Sequence, residues 1–283
     1  MWGTPGNRFP AGMTPTTYAL RLSDDELGRY RMMAARARAE EGDLWDLARI
    51  GVGARIADVG CGPGAMLVAL AEVVGPTGRV TGIDADPAAV GAARVALAAA
   101  RMRGSVAPGT VRRGRADATG IAPGSVDTVV LRHVLAHNGG HEQRIVDHLA
   151  TLVRPGGYVY LLDVDLTSTT GTDAGGETRE MFDRYLSWHE RRGNDPRIGH
   201  RLGDLGRAAG LAVLEHRGWT ARNALPRGQR GPAWAARDEL VRSGLATAAD
   251  LRRWDAAFAR LDAAPERPEF TLDVFAAVCR RPN

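Results

Sequence analysis

Ile56-Ala57-Asp58-Val59-Gly60-Cys61-Gly62-Pro63-Gly64 is the stretch that decides the fold. A short apolar run feeds three glycines at alternate positions, and a helical apolar pattern follows over residues 63–74. Glycine lets a chain turn tightly and bring its backbone close to a ligand, and the start of the next helix offers free N–H groups. The segment therefore predicts a strand, a ligand loop and a helix. Residues 60–65 also satisfy the G-x-G-x-x-G/A form of the dinucleotide fingerprint, and Asp84 follows Gly64 by twenty residues, where a ribose-binding acid belongs.

Outward from this loop, strands and helices alternate, the pattern of a parallel sheet with crossover helices. Strands are expected at 56–59, 80–84, 110–115, 127–131 and 158–164, and helices at 63–74, 87–101 and 140–153. Upstream, residues 1–17 are rich in Gly, Pro and Thr and read as a loose arm. Ser23 and Glu26 have capping-box spacing for a helix running to about Glu41, with a short second helix at 44–50. Downstream, a Thr/Gly-rich stretch precedes an amphipathic helix at 177–192. A helix at 201–209, a strand at 211–219, helices at 233–242 and 248–261 and a last strand at 269–279 complete the chain.

The composition sets bounds. With 283 residues, 44% of them hydrophobic, the chain can build one large α/β domain with a lid or two small domains. All 37 basic residues are arginines, interleaved with acids except in short clusters such as Arg112-Arg113 with Arg115 and Arg191-Arg192. That pattern is a solvated surface rather than a nucleic-acid footprint. Cys61 and Cys279 stand in unrelated contexts, which predicts neither a disulfide framework nor a zinc site. The first thirty residues lack a basic-then-apolar leader, and no window approaches eighteen uncharged apolar residues, so a cytoplasmic location with no membrane partner is expected.

Three features favour an aminoacyl-adenosyl ligand over a dinucleotide. Asp58 puts a carboxylate near the end of strand one, where a dinucleotide site is usually apolar but a ligand ammonium would be welcome. Asp117 follows the third strand, in Arg115-Ala116-Asp117-Ala118. Leu152-Val153-Arg154-Pro155-Gly156-Gly157-Tyr158 forms a tight turn into strand five. Together these resemble the class I S-adenosylmethionine-dependent methyltransferases. Val59-Gly60-Cys61-Gly62-Pro63-Gly64 is similar to motif I, Gly82-Ile83-Asp84 to the motif after it, Asp117-Ala118 to the third, and Arg154-Pro155-Gly156-Gly157 to the turn before strand five. The resemblance is close over residues 55–165 and holds in outline beyond them.

The resemblance implies a Rossmann-like α/β fold: a seven-stranded, mostly parallel sheet with its last strand antiparallel, helices on both faces and a helical lid. Residues 1–50 would form an arm and cofactor-covering helices, and 51–283 the methyltransferase domain, with lid insertions at about 166–197 and 221–265. Gly60, Gly62 and Gly64, with Cys61 among them, would pass beneath the methionine part of the cofactor, S-adenosylmethionine. Asp58 would order the loop or meet the ammonium. Asp84, with Ala85 beside it, would accept from both ribose hydroxyls, for which two acceptor oxygens and no donor are suited; alternatively it caps the helix opening at Pro87. Asp117 would accept from the adenine amino group, with the Ala118 N–H next to it. Arg132 and His133 would lie at the cofactor edge, and Tyr18 and Tyr30 would close over the cleft.

Methyl transfer from a sulfonium is an in-line displacement that needs alignment, exclusion of water and removal of a proton where the nucleophile carries one. His133 and His137, four residues apart, would share a face on a helical turn, and either suits a general base near neutral pH; the alternative is an ordinary helix surface or a cap. His137 falls on the substrate side, and His141 and His148 are expected to be exposed. Phe182 reads as core packing. Trp188 and His189, about 100° apart on a helix, are not expected to be buried alike, so that one of them reaches the pocket; His189 is the third catalytic candidate. Asp163 and Asp165 raise a metal-dependent mechanism, but Arg132-His133 stands where that arrangement needs an acid, so no metal is expected. The expected activity is methylation of an O or N, less readily C, atom of a small molecule in natural-product tailoring, as in the ubiquinone/sterol branch. The expected partners are that acceptor and no nucleic acid, in a monomer or homodimer. The alternatives are a non-methylating reaction, such as a cyclisation, on the same fold, or a nicotinamide-binding oxidoreductase.

Overall fold

Side chains alternate across a strand, and the first strand, β1 (Arg55–Val59), shows how the layers form. Ile56 joins one hydrophobic cluster, while Ala57 and Val59 join another on the opposite face. The computed structural model describes residues 24–104, 106–171, 176–224, 226–267 and 269–283; Tyr18 and the Ser23 cap lie outside them. After α1 (Asp24–Leu47) and β1 come α2 (Ala65–Val74), β2 (Arg79–Asp84), α3 (Pro87–Arg103), β3 (Gly109–Arg113), β4 (Val126–Arg132), α4 (Glu142–Leu152) and β5 (Val153–Thr170). The chain continues through α5 (Glu177–Arg191), α6 (Leu202–Ala208), β6 (Ala212–Asn223), α7 (Pro232–Ala235), α8 (Arg237–Arg242), α9 (Ala248–Ala263) and β7 (Phe270–Arg280).

The seven strands form one sheet in the order β3-β2-β1-β4-β5-β7-β6, parallel except for β7, which runs antiparallel between β5 and β6. Core residues of α1, α2 and α3 pack on one face and those of α4 and α6 on the other. The order reverses direction at β1 and β4, which opens the crevice beyond the strand carboxyl ends where ligands of open α/β sheets bind. Val126 pairs with Val153 and Thr128 with Tyr158, so the Arg154-to-Gly157 turn is a bulge within β5 rather than a loop ahead of it.

The expected break between two N-terminal helices does not form. Gly42 costs a helix about 1 kcal/mol relative to alanine, yet Ala37 and Glu41 before the proposed gap and Leu44 and Trp45 after it are all buried. Trp45 Nε1–H also donates to Glu41 one turn earlier, at 3.2 Å. Packing carries α1 through. Farther on, α5 packs against α7, α8 and α9, with Arg184 donating to the Leu245 carbonyl and to Asp250, both at 2.9 Å. Thr247 and Asp250 form a reciprocal capping box that starts α9. No helix among the described residues is long and apolar enough to cross a membrane.

Candidate functional site

A cavity of about 400 Å3 runs from the glycine loop to the underside of α5. At its near end the Gly60 and Cys61 N–H groups donate to the Ile83 carbonyl at 2.7 and 3.0 Å. Asp84 ties two loops together, its Oδ2 accepting from Gly62 N (2.8 Å) and its Oδ1 from Asp86 N (2.9 Å). The helix cap is Asp86, which accepts from Ala88 N, so Asp84 is not itself the cap of α3, although one of its oxygens holds the cap residue. Each Asp84 oxygen keeps lone-pair capacity, and the residue lines the cavity with Ala85.

The glycines are needed for different reasons. A Cβ on Gly60 would lie 2.3 Å from Val134 Cγ2, and one on Gly64 2.7 Å from the Ala93 backbone, at φ of +73° and +88°. Both positions therefore serve the packing of the loop, Gly60 against the segment just after β4 and Gly64 against α3. Gly62 has space around it, with Tyr30 nearest at 3.7 Å, and here the chain approaches the cavity. Tyr30 thus covers the loop, and Cys61 within the loop is buried, which pushes its thiol up.

Asp58 is 2% exposed, lines the cavity, and carries an Oδ2 with no hydrogen-bond partner. Burial pushes its carboxyl up to about 7, with the Arg132 guanidinium opposing and the Asp84 charge reinforcing the shift. A carboxylate so placed fits a ligand ammonium. Since only its ionised form attracts a cation, affinity for an aminoacyl ligand is expected to fall as pH drops below about 7, by up to about tenfold per unit. Titrations of S-adenosylhomocysteine from pH 5 to 8 check this, and Asp58→Asn should flatten the dependence.

Asp117 is pulled down to about 2, chiefly by its hydrogen bonds from Arg115, opposed by burial and aided by Arg144. Its carboxylate lines the cavity with Ala116. Ala118 corrects the expectation for its backbone: its N–H donates to the Arg115 carbonyl at 3.0 Å, and the residue stands outside the cavity wall. The unpartnered Asp58 oxygen, the half-used Asp84 carboxylate and the ionised Asp117 fit the ammonium, ribose and adenine of S-adenosylmethionine in that order.

Beyond β4 the expected helical pairing of histidines is absent. His133 has φ +55° and donates its N–H to the Leu162 carbonyl at 2.9 Å; a single 3-10 turn, Leu135–His137, follows. Both rings nonetheless line the cavity, together with Arg132. Burial lowers His133 well below the usual range and His137 to about 3, so neither is the base poised near neutrality that the spacing implied. Trp188 and His189 are both buried, because α5 is covered on its outer side by the lid helices. Trp188 lines the cavity, whereas His189 stands behind the wall, its ring 5.0 Å from that of His137 and its Nδ1 beside Asn194 Nδ2 at 3.1 Å. Burial lowers His189 to about 4.

Phe182 packs against the core as expected. His141 lines the cavity, and His148 meets the Thr119 hydroxyl at 2.9 Å; neither is exposed. Asp163 accepts from Ala136 N at 3.2 Å, while Asp165 pairs with His200 at 2.8 Å, so the two carboxylates serve different neighbours. Among the described residues no group of three or more His, Cys, Asp or Glu could hold a metal ion.

Sequence reasoning missed a buried network under the cofactor end. Glu41 pairs with Arg132 and accepts from Tyr160 OH at 2.7 Å and from Trp45. It missed Trp219 and Arg192 as well; both line the cavity, and the Arg192 guanidinium lies 4.9 Å over the Trp188 ring. Apart from the Glu41 and Trp45 spacing, nothing local in the sequence signals these contacts.

Comparison with known proteins follows the geometry. The chain matches the Methyltransferase domain family over residues 28–216, about two thirds of its length. An uncharacterized 37.1 kDa protein in transposon TN4556 of Streptomyces fradiae is 31% identical over 156 residues; the match takes in 55% of this chain and 43% of that protein, so the chain spans less than half the length of this curated relative. Among solved structures, the BH2331 protein of Bacillus halodurans superimposes with a TM-score of 0.54 at 14% identity, covering 87% of this chain and all of that one. The YcgJ protein of Bacillus subtilis gives 0.51 at 16%, covering 86% and 97%. The [4+2]-cyclase SpnF gives 0.53 at 19%, covering 87% and 81%. These three likenesses concern the fold alone. By the family match, on the sheet and cavity described above, the chain belongs to the methyltransferase-domain family.

Proposed function

We propose that this chain methylates an oxygen or nitrogen atom of an apolar small molecule, in the manner of the natural-product tailoring enzymes. The observation that carries the reading is one continuous cavity: Asp58, Asp84 and Asp117 line its cofactor end, and the wall beyond them turns apolar through Met32, Met33 and Trp188. S-adenosylmethionine supplies an electrophilic methyl group on a sulfonium. Asp58, Gly62, Asp84, Ala85 and Asp117 hold the ligand, with Arg132 and His133 at its edge. Residues 24 to about 50 cover it, residues 51–283 make up the catalytic domain, and the described residues of the stretches at about 166–197 and 221–265 form the lid that excludes water. The neutral His137 ring lies on the substrate side, where it accepts a proton only as the nucleophile loses it; a ring held near 3 is too weak a base to deprotonate an alcohol beforehand.

A ligand at a hundred times its dissociation constant adds about 2.7 kcal/mol of stability, or roughly 5–10 °C in melting temperature. S-adenosylhomocysteine is expected to give such a shift and NAD none. Absence of a shift with S-adenosylhomocysteine overturns the reading. Methyl-labelled cofactor incubated with a panel of phenols and amines then tests transfer. Product formed while the label stays on the cofactor would instead support a non-methylating reaction, for which the [4+2]-cyclase SpnF is the precedent on this fold.

A further inference from the structure

Resting on the reading just given, we infer that the acceptor is a mainly apolar molecule bearing one carboxylate, and that the Arg192 guanidinium at the rim of the cavity receives that carboxylate. Arg192 immediately follows α5, lines the cavity and remains exposed, so a ligand entering from solvent meets it. Backbone groups already close the helix. The N–H groups of Arg192 and Asn194 donate to the His189 carbonyl at 3.1 and 3.0 Å, and that of Gly193 donates to the Glu190 carbonyl at 2.9 Å. The guanidinium is therefore not needed as a cap and lies instead 4.9 Å over the Trp188 ring, one turn earlier. Such a contact holds the cation by its charge and leaves its N–H donors for a carboxylate, whose geometry the planar fork matches. Trp188 is a firm platform, buried and stacked with Tyr185 at 6.1 Å.

The missing counter-ion sets Arg192 apart from its neighbours in the lid. Arg179 pairs with Asp183, Arg184 and Arg253 with Glu180, and Arg260 with Glu177, whereas Arg192 has no ion pair among the described residues. Asp195, three residues on, is committed to Arg201 at 2.8 Å and to the Arg197 N–H at 2.9 Å. In the cavity wall, Asp163 accepts from Ala136 N at 3.2 Å and from Val164 N at 3.1 Å, and Glu40 pairs with Arg36. Burial chiefly, then the charges of His189, Arg29 and Arg192, hold the His137 ring low, so the Arg192 charge is felt on the substrate side. The same wall carries Val134, Val164 and Leu166. An apolar compartment with an unanswered cation at its rim suits an amphipathic acid. The body of such a molecule is buried while its carboxylate stays at the water's edge, where little of the desolvation cost of a buried ion pair arises.

The probes are 2-naphthoate and 2-naphthamide, which share an outline and differ in charge. With S-adenosylhomocysteine saturating at neutral pH, the wild-type chain is expected to bind the acid about fivefold to tenfold more tightly than the amide, as suits a charge-assisted pair in partial contact with solvent. Arg192→Gln should bring the ratio to about one by weakening the acid alone. Arg192→Lys should keep part of the preference, because lysine retains the charge and loses the fork. Binding of S-adenosylhomocysteine by each variant shows that it has folded. In the wild-type chain, added sodium chloride should weaken the acid and leave the amide unchanged, a readout that needs no variant. Equal binding of the two probes, a preference that survives Arg192→Gln, an acid affinity indifferent to salt, or failure of both probes to bind would each overturn the inference. Failure of S-adenosylhomocysteine to bind the wild-type chain would instead overturn the functional reading on which it rests.

Discussion

Replacing Asp84 with alanine is expected to raise the dissociation constant for S-adenosylhomocysteine by about a hundredfold or more. Two losses combine. The carboxylate holds the Gly62 and Asp86 N–H groups at 2.8 and 2.9 Å, so its removal loosens the ligand loop and the entry to α3 together. It also offers the two acceptor oxygens assigned to the ribose hydroxyls, and hydrogen bonds to charged groups contribute about 1.5–3 kcal/mol each. Asp84→Asn keeps one acceptor and should cost only about tenfold. Isothermal titration decides: an alanine variant within threefold of wild type would remove Asp84 from ligand binding and leave it a loop tie.

Glu41→Ala is expected to cost about 4 kcal/mol of stability and to lower the melting temperature by roughly 10 °C. Glu41 is 2% exposed and is the shared partner of the Arg132 guanidinium, the Tyr160 hydroxyl and the Trp45 indole N–H. Its loss strands a largely buried cation, and an uncompensated buried charge is more destabilising than a well-packed apolar replacement of the whole pair. The double variant Glu41→Leu with Arg132→Met should therefore recover much of the loss. No recovery would place the effect in packing rather than charge. Cofactor affinity should fall in the double variant, because Arg132, which it lacks, is what opposes the burial penalty on the Asp58 charge.

The cofactor half of this protein is written locally. The loop from Gly60 to Gly64, Asp84 and Asp117 each sit at or just past a strand end, and strand ends follow from apolar runs and glycine punctuation that a single pass along the chain reveals. What escaped reading is long-range. Glu41 meets Arg132 and Tyr160 across 91 and 119 residues, and no periodicity encodes such a meeting. The histidine spacing misled for a related reason. Four residues apart implies a shared face only on a helix, and the +55° φ of His133 breaks that geometry. Burial of both Trp188 and His189 likewise depends on α7, α8 and α9 covering the far side of α5, which the helix's own pattern does not record. The Ala118 amide was lost to a bridge with Arg115, three residues earlier in its own turn.

The placement of β7 between β5 and β6 sets an order on how this protein comes into being. β6 touches the sheet only through β7, and β7 follows every other strand along the chain. During synthesis the five parallel strands that carry the carboxylates can associate while β6, with Trp219 on it, still lacks a neighbour. The part of the cavity wall that carries Trp219 therefore closes last, when Phe270–Arg280 enters the gap. A nascent chain can then own the carboxylate end of its cavity before the opposite end has a wall.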